Sequence, residues 1–381
     1  MDGKRFYICA TEQNLLMFSM INHAGYDVVI LSVSVAFLIT FFFIPITVRI
    51  AKEKGIVAHE NGRTSHKGSI PTMGGLAVFS SFYISVLLFV DDGNLRELNY
   101  LIAGSLLILL TGMKDDMVGI SARKKLFVQI IAACIIIFWA NLRFTSLQGF
   151  LGIYEINYFL SVTISLITIV GLTNCFNLID GIDGLAAGVS SVSLLALGFW
   201  FGYVGQKELM LISFILAGSM IGFIPYNIFG HSNKIFMGDT GALTTGFIIA
   251  YFILKFNQVN LSLTPEFAFN SAPAISIAIV FVPLFDTIKV FVLRLMKGKH
   301  PFSPDKQHAH HTLLCLGLNH AQTTLYLVGL NAAFILGAFS GSYLGTTTLF
   351  FLLLVLGMVV FFIPRAIKRK HENRSIFQFP S

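Results

Sequence analysis

The sequence predicts an all-α polytopic membrane protein of about eleven transmembrane helices, and three observations carry that reading. Hydrophobic residues fill 55% of the 381 positions and charged residues only 12%, about half the charged share of a soluble domain. The apolar residues fall in long uninterrupted blocks, and one span of the hydrocarbon core needs roughly 17–25 of them. The basic residues collect in alternate loops between those blocks, the pattern that a threaded membrane chain adopts.

The first block runs from Asp27 to Ile50, with no charge between Val28 and Val48. It is too long and too poorly flanked for a cleaved signal peptide. Further helical blocks are expected at 73–91, 98–113, 126–141, 158–175, 184–204, 209–226, 241–256, 272–295, 322–342 and 346–363, the third and fourth being short. No segment between them is long enough for a soluble domain. The chain therefore reads as one integral-membrane unit, 1–381, ending in a basic tail, 365–381.

An odd number of spans puts the termini on opposite sides. One set of loops contains Lys52, Lys54, Arg63, Lys67, Lys114, Arg123, Lys124, Lys125, Lys234, Lys297, Lys299, Lys306 and the basic residues of the tail. The other set has only Lys4, Arg5, Arg96, Arg143, Lys207 and Lys255. The first set is expected to face the cytoplasm, which leaves the N-terminus outside and the C-terminus inside. The net charge of +7 is then a topology signal with some attraction to anionic lipid, and gives no reason to invoke nucleic acid. The cysteines Cys9, Cys134, Cys175 and Cys315 form no CxxC pair and read as small core residues.

Once this topology is drawn, the unusual acids fall on one face. Asp115 and Asp116 follow the third helix, Asp180 and Asp183 the fifth, Asp239 precedes the eighth, and His308, His310 and His311 lie between the ninth and tenth. Each has a plainer reading. Asp115-Asp116 could cap a helix or balance Lys114, Arg123, Lys124 and Lys125. Asp239 in Gly-Asp-Thr-Gly could be an N-cap. The histidines could belong to an exposed polar loop. Asp180 and Asp183, three apart on one helical face, repel unless a cation or a donor lies between them. Acids placed beside glycines at the membrane interface are costly and usually functional. The set is rich in oxygen and free of thiolate, which suits Mg²⁺ or Mn²⁺ rather than zinc. Carboxylates, a divalent ion, cations and imidazoles at a membrane surface together describe phosphoryl transfer.

These residues give the chain a strong resemblance to the polyprenyl-phosphate N-acetylhexosamine-1-phosphate transferases. The matching pieces, in order, are Arg63 with His66 and Pro71-Thr72-Met73-Gly74-Gly75; Lys114-Asp115-Asp116; Asn174 with Asn177-Leu178-Ile179-Asp180-Gly181-Ile182-Asp183-Gly184; Phe236-Met237-Gly238-Asp239; and Pro283-Leu284-Phe285-Asp286-Thr287 leading to the stretch from Pro301 to His311. That last stretch looks like the branch that starts O-antigen, common-antigen or teichoic-acid linkage glycans with N-acetylglucosamine-1-phosphate. The muramoyl-pentapeptide branch typically carries three adjacent histidines, which Ala309 interrupts here.

The resemblance implies a bacterial inner-membrane enzyme with a periplasmic N-terminus and a cytoplasmic site. Its expected substrates are a UDP-N-acetylhexosamine and undecaprenyl phosphate, its cofactor is Mg²⁺ or Mn²⁺, and a homodimer is left open. It implies Asp239 as the leading metal ligand with Asp180 beside it, and Asp115 or Asp116 as the group that binds or deprotonates the lipid phosphate. Asn174, Asn177, Asp180 and Asp183 would line the nucleotide side, with Phe236 stacked on uracil. His308, His310, His311 and Lys306 would hold phosphate oxygens, and Lys67 would reach the same pocket. Direct attack by the lipid phosphate and a two-step route through a phospho-aspartyl enzyme both stay open. A transporter is the rival class, but it would keep its charges near the midplane, where only Asp286, Lys289 and Arg294 fall within a helix.

Overall fold

The computed structural model describes residues 23–58, 70–90, 96–298 and 308–376. The fold is almost wholly helical. In chain order the helices are α1 (His23–Glu53), α2 (Gly74–Phe89), α3 (Arg96–Val118), α4 (Ala122–Cys134), α5 (Tyr158–Ile179), α6 (Leu185–Tyr203), α7 (Lys207–Ile228), α8 (Gly238–Ser262), α9 (Ala272–Ile279), α10 (Phe281–Met296), α11 (Ala309–Cys315), α12 (His320–Ser340) and α13 (Thr346–Ile376). Among the described residues six of these, α1, α5, α6, α7, α8 and α12, are long and apolar enough to cross a membrane, and α9 with α10 makes a seventh, bent span. The eleven expected apolar blocks are helical, but only these six or seven are long and apolar enough to span: α2, α4 and the apolar part of α13, Thr346–Phe362, are too short, and α3 ends in charged residues.

The chain folds around α8. Its residues from Thr240 to Phe256 are buried throughout, and α2, α3, α5 and α6 pack against it. Lipid gives little hydrophobic force between helices, so close contact at small residues does the work. A Cβ on Gly246 would stand 2.6 Å from the Leu172 carbonyl on α5, and one on Gly104 of α3 would stand 2.7 Å from the Phe247 ring. Large apolar side chains such as Leu87, Ile167, Phe199 and Leu325 point outward, as they do where the solvent is hydrocarbon.

The structure departs from the sequence reading in four places. The block 272–295 is two helices bent by 82°, a break that its unbroken apolar composition conceals. Buried Asn331 of α12 spans the break, accepting the Val282 N–H at 3.0 Å and donating to the Ile279 carbonyl at 3.1 Å. Backbone groups freed inside a membrane must find such partners. The block 126–141 ends in a wide π turn, Ile135–Trp139. A hairpin, β1 (Ser146–Phe150) with β2 (Ile153–Glu155), follows it. Lys255, expected in an outer loop, lies within α8, buried and paired with Glu97 of α3.

Candidate active site

The site is built where the start of α8 meets the ends of α2, α3, α4 and α5. Phe236-Met237 is laced to the start of α2 by three backbone bonds. The Phe236 N–H donates to the Pro71 carbonyl at 2.8 Å, and the Gly74 and Gly75 N–H groups donate to the Phe236 and Met237 carbonyls, each at 2.9 Å. Glycine is needed on both sides of this seam. A Cβ on Gly75 would stand 2.2 Å from the Gly241 nitrogen, and Gly238 has φ +71° with the Thr72 carbonyl against it, a conformation that L side chains rarely take.

This seam fixes the N-terminus of α8, and Asp116 caps it. One Asp116 oxygen accepts the Asp239 N–H at 2.9 Å, and the other accepts the Thr240 N–H at 2.9 Å and the Thr240 hydroxyl at 2.6 Å. A carboxylate there satisfies orphan donors and favours the positive end of the helix dipole. Gly112, one turn earlier on α3, makes room for it, since a Cβ would meet the Asp239 carbonyl at 2.6 Å.

Lys125 joins the two remaining acids. Its ammonium lies 2.7 Å from an Asp115 oxygen and 2.5 Å from an Asp239 oxygen. Burial pulls the ammonium down, but the charge on Asp239 and the bonds to both acids outweigh it, so the lysine is held above its ordinary value. The other Asp239 oxygen accepts from the Asn177 amide at 2.9 Å. Asp180 follows α5, and burial first, then the charges on Asp239, Asp116 and Asp183, push its carboxyl well above the usual range. Among the described residues no side chain donates a hydrogen bond to it.

The other expected residues fall as follows. Asp183 is buried and paired with Lys234 at 2.7 Å, and its carbonyl accepts the Thr324 hydroxyl at 2.6 Å. It belongs to the junction of α6 and α12. Asn174 exchanges hydrogen bonds with Gln129 of α4 and donates to the Val170 carbonyl, so its amide is engaged in holding α4 to α5. The Phe236 ring is half-buried beside the seam. His308 and His310 are buried rather than exposed in a loop, and His311 opens the short α11 with them. Lys67 and Lys306 lie outside the described residues, as do Arg63 and His66.

The donor set fits a hard divalent ion in chemistry. Four carboxylates, Asp115, Asp116, Asp180 and Asp239, gather here; Lys125 pairs with Asp115 and Asp239 alone, and burial first, then the neighbouring acids, disfavours the charged form of Asp180. Among the described residues no three His, Cys, Asp or Glu side chains already converge as a complete ligand set. An ion held by Asp239 and Asp180 would need further oxygens from a bound phosphate, as Mg²⁺ often does.

Three participants escape sequence reading. Lys125 sits in the run Arg123-Lys124-Lys125, which reads as a topology signal, and only its half-burial separates it from its exposed neighbours. Gly112 carries no signal at all, and Thr240 shows only as part of Gly-Asp-Thr-Gly with no hint of its role, because their partners are more than a hundred residues away in the chain.

A helical membrane protein with an acid cluster at the mouth of its central helix is the class that these features define. The Glycosyl transferase family 4 model matches residues 98–257, which span α3 to most of α8. The undecaprenyl-phosphate alpha-N-acetylglucosaminyl 1-phosphate transferase of Salmonella typhimurium is 31% identical over 364 residues, covering 89% of this chain and 95% of that protein. The proteins of the same name from Yersinia pestis and Escherichia coli K12 are 32% and 30% identical over 300 and 304 residues, covering 78% of this chain in each case and 80% and 79% of those proteins. The chain belongs to glycosyl transferase family 4 and is a membrane transferase.

Proposed function

We propose that the protein transfers N-acetylglucosamine-1-phosphate from UDP-N-acetylglucosamine to undecaprenyl phosphate, releasing UMP and starting a cell-envelope glycan. The observation that carries the reading is the convergence of Asp115, Asp239, Lys125 and Asn177 on one point, in a chain whose relatives are named for this transfer. An oxygen of the lipid phosphate attacks the β-phosphorus of the donor. A new P–O–P bond forms, the bond to the UMP oxygen breaks, and UMP leaves.

Asp239 and Asp180 hold Mg²⁺ or Mn²⁺ in this reading, and the ion, when bound, neutralises charge on the pyrophosphate. Lys125 keeps Asp115 and Asp239 from repelling one another and presents a cation to the transferring phosphoryl group. Asp115 orients the lipid phosphate or takes its proton. Asp116 is committed to α8 by three hydrogen bonds, which favours direct attack over a phosphorylated form of that residue.

The chain crosses the bacterial inner membrane eleven times, with the N-terminus periplasmic and the acid cluster and basic tail on the cytoplasmic side. The loop cations support that orientation. The test is release of UMP by purified protein with undecaprenyl phosphate and a panel of UDP-sugars. UDP-N-acetylglucosamine should be turned over fastest and UDP-MurNAc-pentapeptide not at all. Uptake of intact UDP-sugar into vesicles without UMP would favour the transporter class, and no UMP with any donor would end the proposal.

A further inference from the structure

The transfer chemistry above leaves unused a buried charged cluster on α10. Asp286 is 2% exposed, Lys289 6% and His308 6%. One Asp286 oxygen accepts from the Lys289 ammonium at 2.7 Å and from the Ala309 N–H at 2.8 Å, and the other lies 2.8 Å from His308 Nδ1. A carboxylate buried this deeply is costly unless its oxygens are fully engaged. Here two of its three partners, His308 and the Ala309 N–H, come from a segment that is otherwise remote, the start of α11.

The contacts continue toward the acid cluster. The His308 ring stacks on His310, with centroids 5.6 Å apart and planes within 8°. The His310 ring in turn covers Gly181, where a Cβ would stand 2.8 Å from Nε2. Gly181 follows Asp180 directly. A side chain on α10, beyond an 82° bend, is thus linked through two parallel imidazoles to the turn that carries Asp180.

We propose that Asp286 is a positioning residue for the transfer, acting through His308 to seat His310 against the Asp180 turn. The proposal rests on the transferase reading and deepens it. By accepting the Nδ1–H of His308, the carboxylate fixes the ring's tautomer and plane, as carboxylates do for histidines in other sites. Lys289 balances the charge so that the arrangement survives within the bundle. A purely structural role, in which the cluster only pins α11 down, is the alternative to be separated.

The experiment uses full-length protein in detergent, with UMP release for turnover and calorimetry for the stoichiometry of UDP-N-acetylglucosamine binding. Asp286→Asn alone leaves Lys289 buried without a counter-charge, so it is paired with Lys289→Met. His308→Asn is made separately; its amide can still donate to Asp286, so the cluster stays satisfied while the ring stacked on His310 is gone. Both variants should bind donor with the wild-type stoichiometry and lose kcat by about 100-fold, the cost expected of a small misplacement of reacting groups. The triple variant should fall no further than the worse of the two, because all three changes interrupt one path. Wild-type kcat in folded His308→Asn would overturn the proposal, as would losses that multiply in the triple variant. A wild-type protein that releases no UMP would instead sink the transferase reading itself.

Discussion

Lys125 of α4 and Asp239 at the first turn of α8, 114 residues apart in the chain, form an ion pair at 2.5 Å whose ammonium also holds Asp115. The lysine is the shared counter-charge of the two acids nearest the proposed chemistry. Lys125→Met should therefore lower kcat by about 10²–10³-fold, the range for losing one pre-organised charged donor. Lys124→Met, on the exposed neighbour, should change little. UMP release by the two purified variants decides the matter, and equal turnover would place Lys125 outside the chemistry.

Asp116 is expected to act through α8. Asp116→Ala leaves the Asp239 and Thr240 N–H groups and the Thr240 hydroxyl without their acceptor. It should lower stability by about 1–2 kcal/mol, as loss of a helix cap does, and turnover should fall with it as Asp239 shifts. Thermal unfolding in detergent is the measurement. An unchanged melting temperature beside abolished turnover would mean that Asp116 acts on the substrate itself.

His310 supplies a pH signature. Burial first, then the neighbouring His311 charge, lowers its pKa from 6.5 to about 3. Between those values the unfolded chain takes up a proton that the folded chain refuses, so the contribution to stability is present above about 6.5 and lost as pH falls toward 3. His310→Asn should flatten the decline of melting temperature on acidification, and parallel curves for the two proteins would refute the assignment.

Much of this architecture was legible in the sequence because the bilayer imposes long apolar runs, and each expected run is helical, although that at 272–295 is broken in two. The acids were legible because a carboxylate beside glycine at an interface needs a reason. What stayed hidden depends on contacts far apart in the chain. The bend after Ile279 is set by Asn331 from α12, and nothing in the apolar run around Val280 announces it. Asp115 and Asp116 are adjacent and alike in sequence, yet one faces Lys125 and the other caps α8. Asp183 and Asn174 share a segment with Asp180 and Asn177, but their partners are Lys234 and Gln129, which the placement of the loop before α8 and the packing of α4 on α5 decide.

The most direct test follows the β-phosphorus of the donor. Purified protein is given UDP-N-acetylglucosamine labelled at that atom, undecaprenyl phosphate and Mg²⁺, and the label is partitioned between lipid and water. The label should pass into the lipid as UMP is released. EDTA should stop the reaction and Mg²⁺ or Mn²⁺ restore it. Asp239→Asn, nearly unchanged in volume, should stay folded and inactive. Release of UDP with the label left in water, or wild-type turnover by Asp239→Asn at limiting Mg²⁺, would contradict the account.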